Sequence, residues 1–170
     1  MNTRHCVIDS KLGELTLVAD SDALTGVYFR HHWRRPDSSA FGARVDAHSD
    51  VLLTEAEVQL TAYLSGDRAA FDLPVRPQGD QRQQRVWDLV SDIPFGGTVT
   101  HGELAAALAD RTTAQEVGQA VGRNPLCIVI PCHRVVGSNG QLTGYAGGLK
   151  RKQFLLELEE AADVKAARLF

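Results

Sequence analysis

Cysteine is scarce in this chain: Cys6, Cys127 and Cys132 are the three in 170 residues. Cys127 and Cys132 stand five apart rather than in a Cys-x-x-Cys knuckle, and no histidine pair follows at finger spacing, so no metal is expected. His5 and Cys6, with His31 and His32, are read as solvated side chains. Three thiols also make no disulfide framework of the secreted kind. Long apolar runs are missing too. Nothing approaches the roughly 20 residues that span a bilayer, and the opening MNTRHCVIDS has no signal-peptide core. No membrane is therefore expected as a partner, and the expected location is the cytoplasm, where thiols stay reduced. An excess of one charge sign is absent as well, with 18 Lys and Arg against 21 Asp and Glu. Residues 1–75 hold seven basic against eleven acidic residues, and residues 76–170 hold eleven against ten. That balance excludes a polybasic arm of the sort many nucleic-acid binders carry, but leaves room for a local basic patch. What remains, 44% hydrophobic and 23% charged, is a globular composition long enough for one domain or two small ones.

The first half reads as scaffold. HCVIDS, GELTLVAD and LTGVYFRH are short alternating or β-branched runs separated by KLG and DSDA, which predicts a three-stranded meander. RRPDSSAFGARVDAHSD is polar and rich in small residues, hence a surface loop. In VLLTEAEVQLTAYLSG, Thr54 followed by Glu57 is the capping-box signature of a helix that stops at Gly66. AAFDLPV is compatible with a returning strand, and RPQGDQ with a linker.

The second half has a different pattern. QQRVWDLVSDI places Val86, Leu89, Val90 and Ile93 on one helical face. Thr100 with Glu103, and Thr113 with Glu116, mark the starts of two short alanine-rich helices joined by DRT. The spacing fits a helix-turn-helix or an ordinary helical hairpin equally well. Ala114, Val117, Gly118, Ala120, Val121 and Gly122 leave the second helix little to read base edges with. Its small residues suit close backbone approach to a narrow groove.

After CIVIP, an apolar run expected to be a buried strand or segment, comes Cys132 with His133 beside it. A thiol acts as a nucleophile only as thiolate, and its ordinary pKa of about 8.5 must be lowered for that. Neighbouring side chains seldom face each other, so proton transfer from Cys132 to His133 calls for a bridging water, and a distant carboxylate would fix the imidazole. A small buried structural cysteine is the competing reading.

RNP (123–125), IPCHRVV (130–136), GYAGGLKRK (144–152) and LLELE (155–159) resemble, in order and spacing, the O6-alkylguanine-DNA alkyltransferases, also called methylated-DNA–protein-cysteine methyltransferases. The resemblance runs over roughly residues 83–160, with a looser fit before it, and the Pro-Cys-His-Arg-Val core is its most specific part. It implies an α/β N-terminal domain with a small antiparallel sheet (1–75), a linker (76–82), and a mainly α C-terminal domain (83–170) with a winged-helix-like helix-turn-helix. It implies that Cys132 accepts the alkyl group, that His133 deprotonates it through water, that Glu159 orients His133, and that Asn124 holds the loop behind the thiol. Tyr145, Ala146, Gly147 and Gly148, with Val135 and His101, would shape the base pocket. Thr100, Ala114, Gln115, Gly118 and Arg123 would meet DNA.

The implied partner is double-stranded DNA containing O6-alkylguanine, with no cofactor and a monomeric protein. The implied reaction is an in-line displacement at saturated carbon, on a base flipped out at roughly a few kcal/mol, once per molecule. Three features depart from the family. Gln115 stands where an arginine usually fills the vacated stack, His101 where a tyrosine is usual, and DQRQ where the first helix is usually led in by Thr-Pro-Phe-Gln. Two alternatives follow: a relative that takes alkyl groups from other donors with weakened DNA binding, and a non-catalytic lesion binder, against which Cys132 argues.

Overall fold

The computed structural model describes residues 2–32 and 35–160. Three strands form the expected meander: β1 (Thr3–Ile8), β2 (Leu15–Asp20) and β3 (Ala23–Phe29), antiparallel with β2 in the middle. Alternation places Leu15, Leu17 and Ala19 in the main core, while Val18 faces the other way onto Tyr28 and Phe41. The sheet is mixed rather than antiparallel. Within the expected loop, β4 (Ala43–Arg44) pairs in parallel with Arg4 and His5. Gly42 makes this possible: at φ +71° it lies so close to β1 that a Cβ would meet the Thr3 carbonyl oxygen at 2.0 Å.

The helix α1 (Val51–Leu64) begins earlier than its Thr54 signature suggested. Asp50 is the cap, accepting the Leu53 amide at 3.0 Å and the Arg4 guanidinium, whereas Thr54 lies inside the helix and donates to the Ala47 carbonyl. AAFDLPV forms no strand; it touches β3 through the Leu24 amide to Pro74 and the Arg76 amide back to Leu24. Next, α2 (Gln81–Ser91) starts inside the segment expected as linker, because Asp80 and Gln83 form a complete capping box. It buries Val86, Trp87 and Val90. The Trp87 indole donates to the Ala120 carbonyl at 2.8 Å, fastening α2 to the second helix of the pair that follows.

That pair is preceded by β5 (Val99–Thr100) and consists of α3 (His101–Leu108) and α4 (Ala114–Gly122). The left-handed Ala109 and an Asp110 side chain that accepts the Thr112 amide make the turn between them. Thr100 caps α3 through the Glu103 amide, and Thr113 with Glu116 forms a full capping box on α4. Two elements remain, β6 (Val135–Val136), parallel to β5, and α5 (Leu149–Glu159). CIVIP is buried but is not a strand. Ile128 is left-handed, and the Val129 amide bonds the Cys127 carbonyl at 2.8 Å, so the chain doubles back tightly there. The Val27 amide holds this loop against β3 through the Pro125 carbonyl. One hydrophobic cluster runs through both halves, from Leu15 and Leu60 to Val117, Cys132 and Leu155. No helix among the described residues is long and apolar enough to cross a membrane.

Candidate active site

Cys132 opens a short 3₁₀ turn (Cys132–Arg134) immediately after Pro131 and is 4% exposed. Asn124 spans the loop that delivers it. The amide nitrogen donates to the Ile130 carbonyl and the amide oxygen accepts the Leu126 N–H, both at 2.9 Å. Each end of the amide thus satisfies a buried backbone group that the irregular loop would otherwise orphan.

His133 is wholly buried, and its Nε2 lies 2.8 Å from Glu159 Oε2 on the last turn of α5. A carboxylate accepts, so Nε2 carries the hydrogen and Nδ1 is left as the basic nitrogen. Nδ1 is buried and has no hydrogen-bond partner among the described residues. Glu159 also receives Arg134, whose Nε is 2.8 Å from Oε1 and whose Nη2 is 2.9 Å from Oε2, and the Tyr63 hydroxyl donates to Oε2. Burial alone would raise the Glu159 pKa. The hydrogen bonds from His133, Arg134 and Tyr63 outweigh it and bring the carboxyl down to about 2. Burial lowers His133, with Arg134 and Lys152 acting in the same sense and Glu159 against it, so the imidazole is neutral and able to take a proton.

The Cys132 thiol is lowered from its ordinary value. A hydrogen bond from the Cys127 thiol is the largest cause; burial opposes it, while Asn124 and the Lys152 charge assist. Cys127 itself is pushed up. Lys152 is 1% exposed, and its ammonium donates to the Val135 carbonyl at 2.6 Å and to the Thr143 carbonyl at 3.1 Å. It ties the residues on either side of the 137–142 loop to one point on α5.

Of the pocket residues expected from sequence, Tyr145 lies near the thiol: burial pushes its hydroxyl up, and the neighbouring Cys127 and Cys132 act in the same sense. Tyr145 and Ala146 are buried, and the Tyr145 ring meets Phe29 edge-on at 6.0 Å. Gly147 presses so close that a Cβ would lie 2.5 Å from the Phe29 ring. Val135 is buried in the core with its carbonyl on Lys152. Gly148, at φ +91°, turns the chain into α5.

His101, Ala114, Gln115 and Gly118, with Gly102, Gln119 and Ser138, line an open cleft of about 620 Å³. A Cβ at Gly118 would rest on the His101 ring at 3.6 Å, an ordinary contact, so α3 and α4 already pack closely there. Burial lowers the His101 pKa, with Lys152 assisting, so above pH 6.5 the ring can donate only as a neutral tautomer. Thr100 and Arg123 fall outside the cleft lining. Thr100 is occupied as the cap of α3, and Arg123 ends α4 beside Tyr28 and His32 in a separate cavity against the sheet. Glu116 does not present a bare charge, because Thr113 and Arg82 engage its carboxylate.

Sequence reasoning missed Tyr63, Arg134, Lys152 and Cys127. Tyr63 sits 96 residues from Glu159 and looks like any aromatic on the apolar face of α1. For Lys152, a lysine between apolar helix positions was the available signal.

A buried thiol with an imidazole held by a carboxylate, in the same chain as a helix-turn-helix pair, is the combination of a candidate cysteine nucleophile and a helical pair of the nucleic-acid-reading kind. Residues 3–77 match the family described as 6-O-methylguanine DNA methyltransferase, ribonuclease-like domain, and residues 81–161 match its DNA binding domain. The chain belongs to the 6-O-methylguanine DNA methyltransferase family. It is 38% identical over 158 residues to the methylated-DNA–protein-cysteine methyltransferase of Methanosarcina acetivorans, covering 91% of this chain and 97% of that one. It is 41% identical over 162 residues to the Mycobacterium bovis protein of the same name, covering 91% and 90%. The crystal structure of Mycobacterium tuberculosis OGT in complex with DNA is similar at a TM-score of 0.79 and 39% identity, over 95% of this chain and 97% of that one.

Proposed function

We propose that this chain repairs O6-alkylguanine in double-stranded DNA by moving the alkyl group onto Cys132, once per molecule. The observation that carries the reading is the buried His133 whose Nε2 is committed to Glu159 while Nδ1 has no hydrogen-bond partner among the described residues. A water between Nδ1 and the Cys132 sulfur would pass the thiol proton to the imidazole. The thiolate attacks the alkyl carbon in line with the bond to O6; the S–C bond forms as the C–O bond breaks. Guanine leaves with the electron pair and takes up a proton. The imidazolium is stabilised by the Glu159 carboxylate, which stays ionised throughout.

In this reading Asn124 holds the loop, Tyr145, Ala146, Gly147 and Val135 enclose the base, and His101 donates to the leaving oxygen. The α3–α4 cleft, with Gln115 on its rim, is the surface that takes the duplex, and small residues at Ala114 and Gly118 let the backbone approach it. Arg123 and Thr100 contribute at most through phosphates and helix capping. No cofactor or metal enters this reaction. Residues 1–75 serve as scaffold, 83–170 as the reacting domain and 76–82 as the join, in a monomeric cytoplasmic protein.

A second reading rests on Gln115 and His101 in the cleft: weakened duplex handling with retained transfer from small donors. Intact mass after incubation with O6-methylguanine duplex, and separately with free O6-benzylguanine, tests both. One alkyl group on Cys132 and none on Cys132→Ser supports the proposal. Alkylation of Cys6 or Cys127, or turnover beyond one per protein, refutes it; loading by the free base alone favours the second reading.

A further inference from the structure

The mechanism above draws every reacting group from the second half of the chain, yet Glu159 has a donor from the first. Tyr63, 1% exposed on α1, gives its hydroxyl to Glu159 Oε2 and lies 3.4 Å from His133 Nε2. Oε2 therefore receives three donors, from Tyr63, His133 and Arg134, and Oε1 receives Arg134 Nε. A carboxylate so occupied is a poor base, so Glu159 acts on the imidazole by charge and orientation rather than by taking its proton. The Tyr63 ring is fixed independently of its hydroxyl, tilted on Phe71 at 5.1 Å and edge-on to Phe95 at 6.3 Å.

We propose that Tyr63 is a positioning residue for the transfer reaction: its phenol holds the Glu159 carboxylate in place and sets how strongly that carboxylate raises the basicity of His133. The inference rests on reading Cys132 as the alkyl acceptor, and it makes the N-terminal half part of the reacting machinery. Among the described residues, the charged and titratable groups that act on the imidazole are Glu159 and Lys152 on α5, Arg134 on its own turn, and Tyr63 on α1. Arg134 and Lys152 disfavour the imidazolium and Glu159 favours it. The phenol hydrogen bond competes for the same oxygen. Removing it leaves more carboxylate charge for His133, whose titration then moves to higher pH.

The test is Tyr63→Phe, which keeps the ring and its packing. Two readouts are taken: NMR titration of the His133 imidazole in unreacted protein, and the pH profile of single-turnover transfer from free O6-benzylguanine. The expected result is an upward shift of the His133 titration by about half a pH unit or more, the same shift in the acidic limb of the profile, and a several-fold lower plateau. Site-specific 3,5-difluorotyrosine at position 63, a stronger donor of nearly the same shape, shifts both downward and serves where Tyr63→Phe folds poorly. Unchanged titration and unchanged limb overturn the proposal, even with a lower melting temperature, because a purely packing role would move only the latter. Absence of transfer in the wild type would instead count against the alkyltransferase reading, and the NMR titration would still decide the role of Tyr63.

Discussion

Replacing Glu159 with glutamine is expected to destabilise the fold by an amount that disappears in acid. The carboxyl is 2% exposed and is held at about 2 against 4.5 in the unfolded chain. Because the folded value is the lower one, its contribution is complete above pH 4.5 and is lost as pH falls toward 2. A gap of that size corresponds to about 3 kcal/mol at neutral pH. Removing one member of a buried ion pair independently suggests a cost of roughly 3–5 kcal/mol, because Arg134 is left buried without its counter-charge. The amide also has one acceptor where the carboxylate has two, so at least one of Tyr63, His133 and Arg134 meets an N–H instead of an oxygen. For a chain of this length the melting temperature should fall by roughly 6–12 °C at pH 7. Urea unfolding of wild type and Glu159→Gln at pH 7, 4.5 and 3.5 checks it. The difference in stability should be full at pH 7 and clearly smaller at pH 3.5. A difference that stays constant with pH would show that Glu159 is not held ionised by these partners. Transfer should slow by more than substrate binding weakens, since glutamine cannot stabilise the imidazolium by charge.

Cys127→Ala removes the largest cause of the lowered Cys132 pKa, so the pH midpoint of Cys132 alkylation by iodoacetamide should rise and transfer at pH 7 should fall several-fold; an unchanged midpoint contradicts the assignment. Gln115→Arg restores a long cationic side chain on the rim of the α3–α4 cleft and should speed transfer from duplex O6-methylguanine several-fold while leaving free O6-benzylguanine unaffected. Equal rates on the duplex would show that Gln115 does not limit base extrusion. The gain should be greatest at low salt, where the added charge attracts phosphates most strongly.

Local chemistry was enough to place several elements. Period-two alternation in LTLVAD and the Thr113–Glu116 box act between residues close in sequence, and both the strand and the helix start form where those patterns lie. The cap of α1 was misplaced for a related reason. Asp50 and Thr54 both fit an N-cap, and the choice fell to Asp50, which is also held by Arg4, 46 residues away. Likewise β4 exists because Gly42 can lie against the Thr3 carbonyl, a contact invisible in a polar loop read by composition.

The reacting centre divides in the same way. Cys132, His133 and the family resemblance of their flanks belong to the sequence by itself, because a thiol and an imidazole are carried by their residues whatever surrounds them. The state of those groups does not. Only the tertiary structure turned Glu159 from one charge in ELEE into a buried, saturated carboxylate, brought Tyr63 to it from the other half of the chain, and set Lys152 and Cys127 beside the thiol. Protonation depends on desolvation and on charges within a few ångströms, and both are properties of packing between distant segments rather than of any stretch of residues.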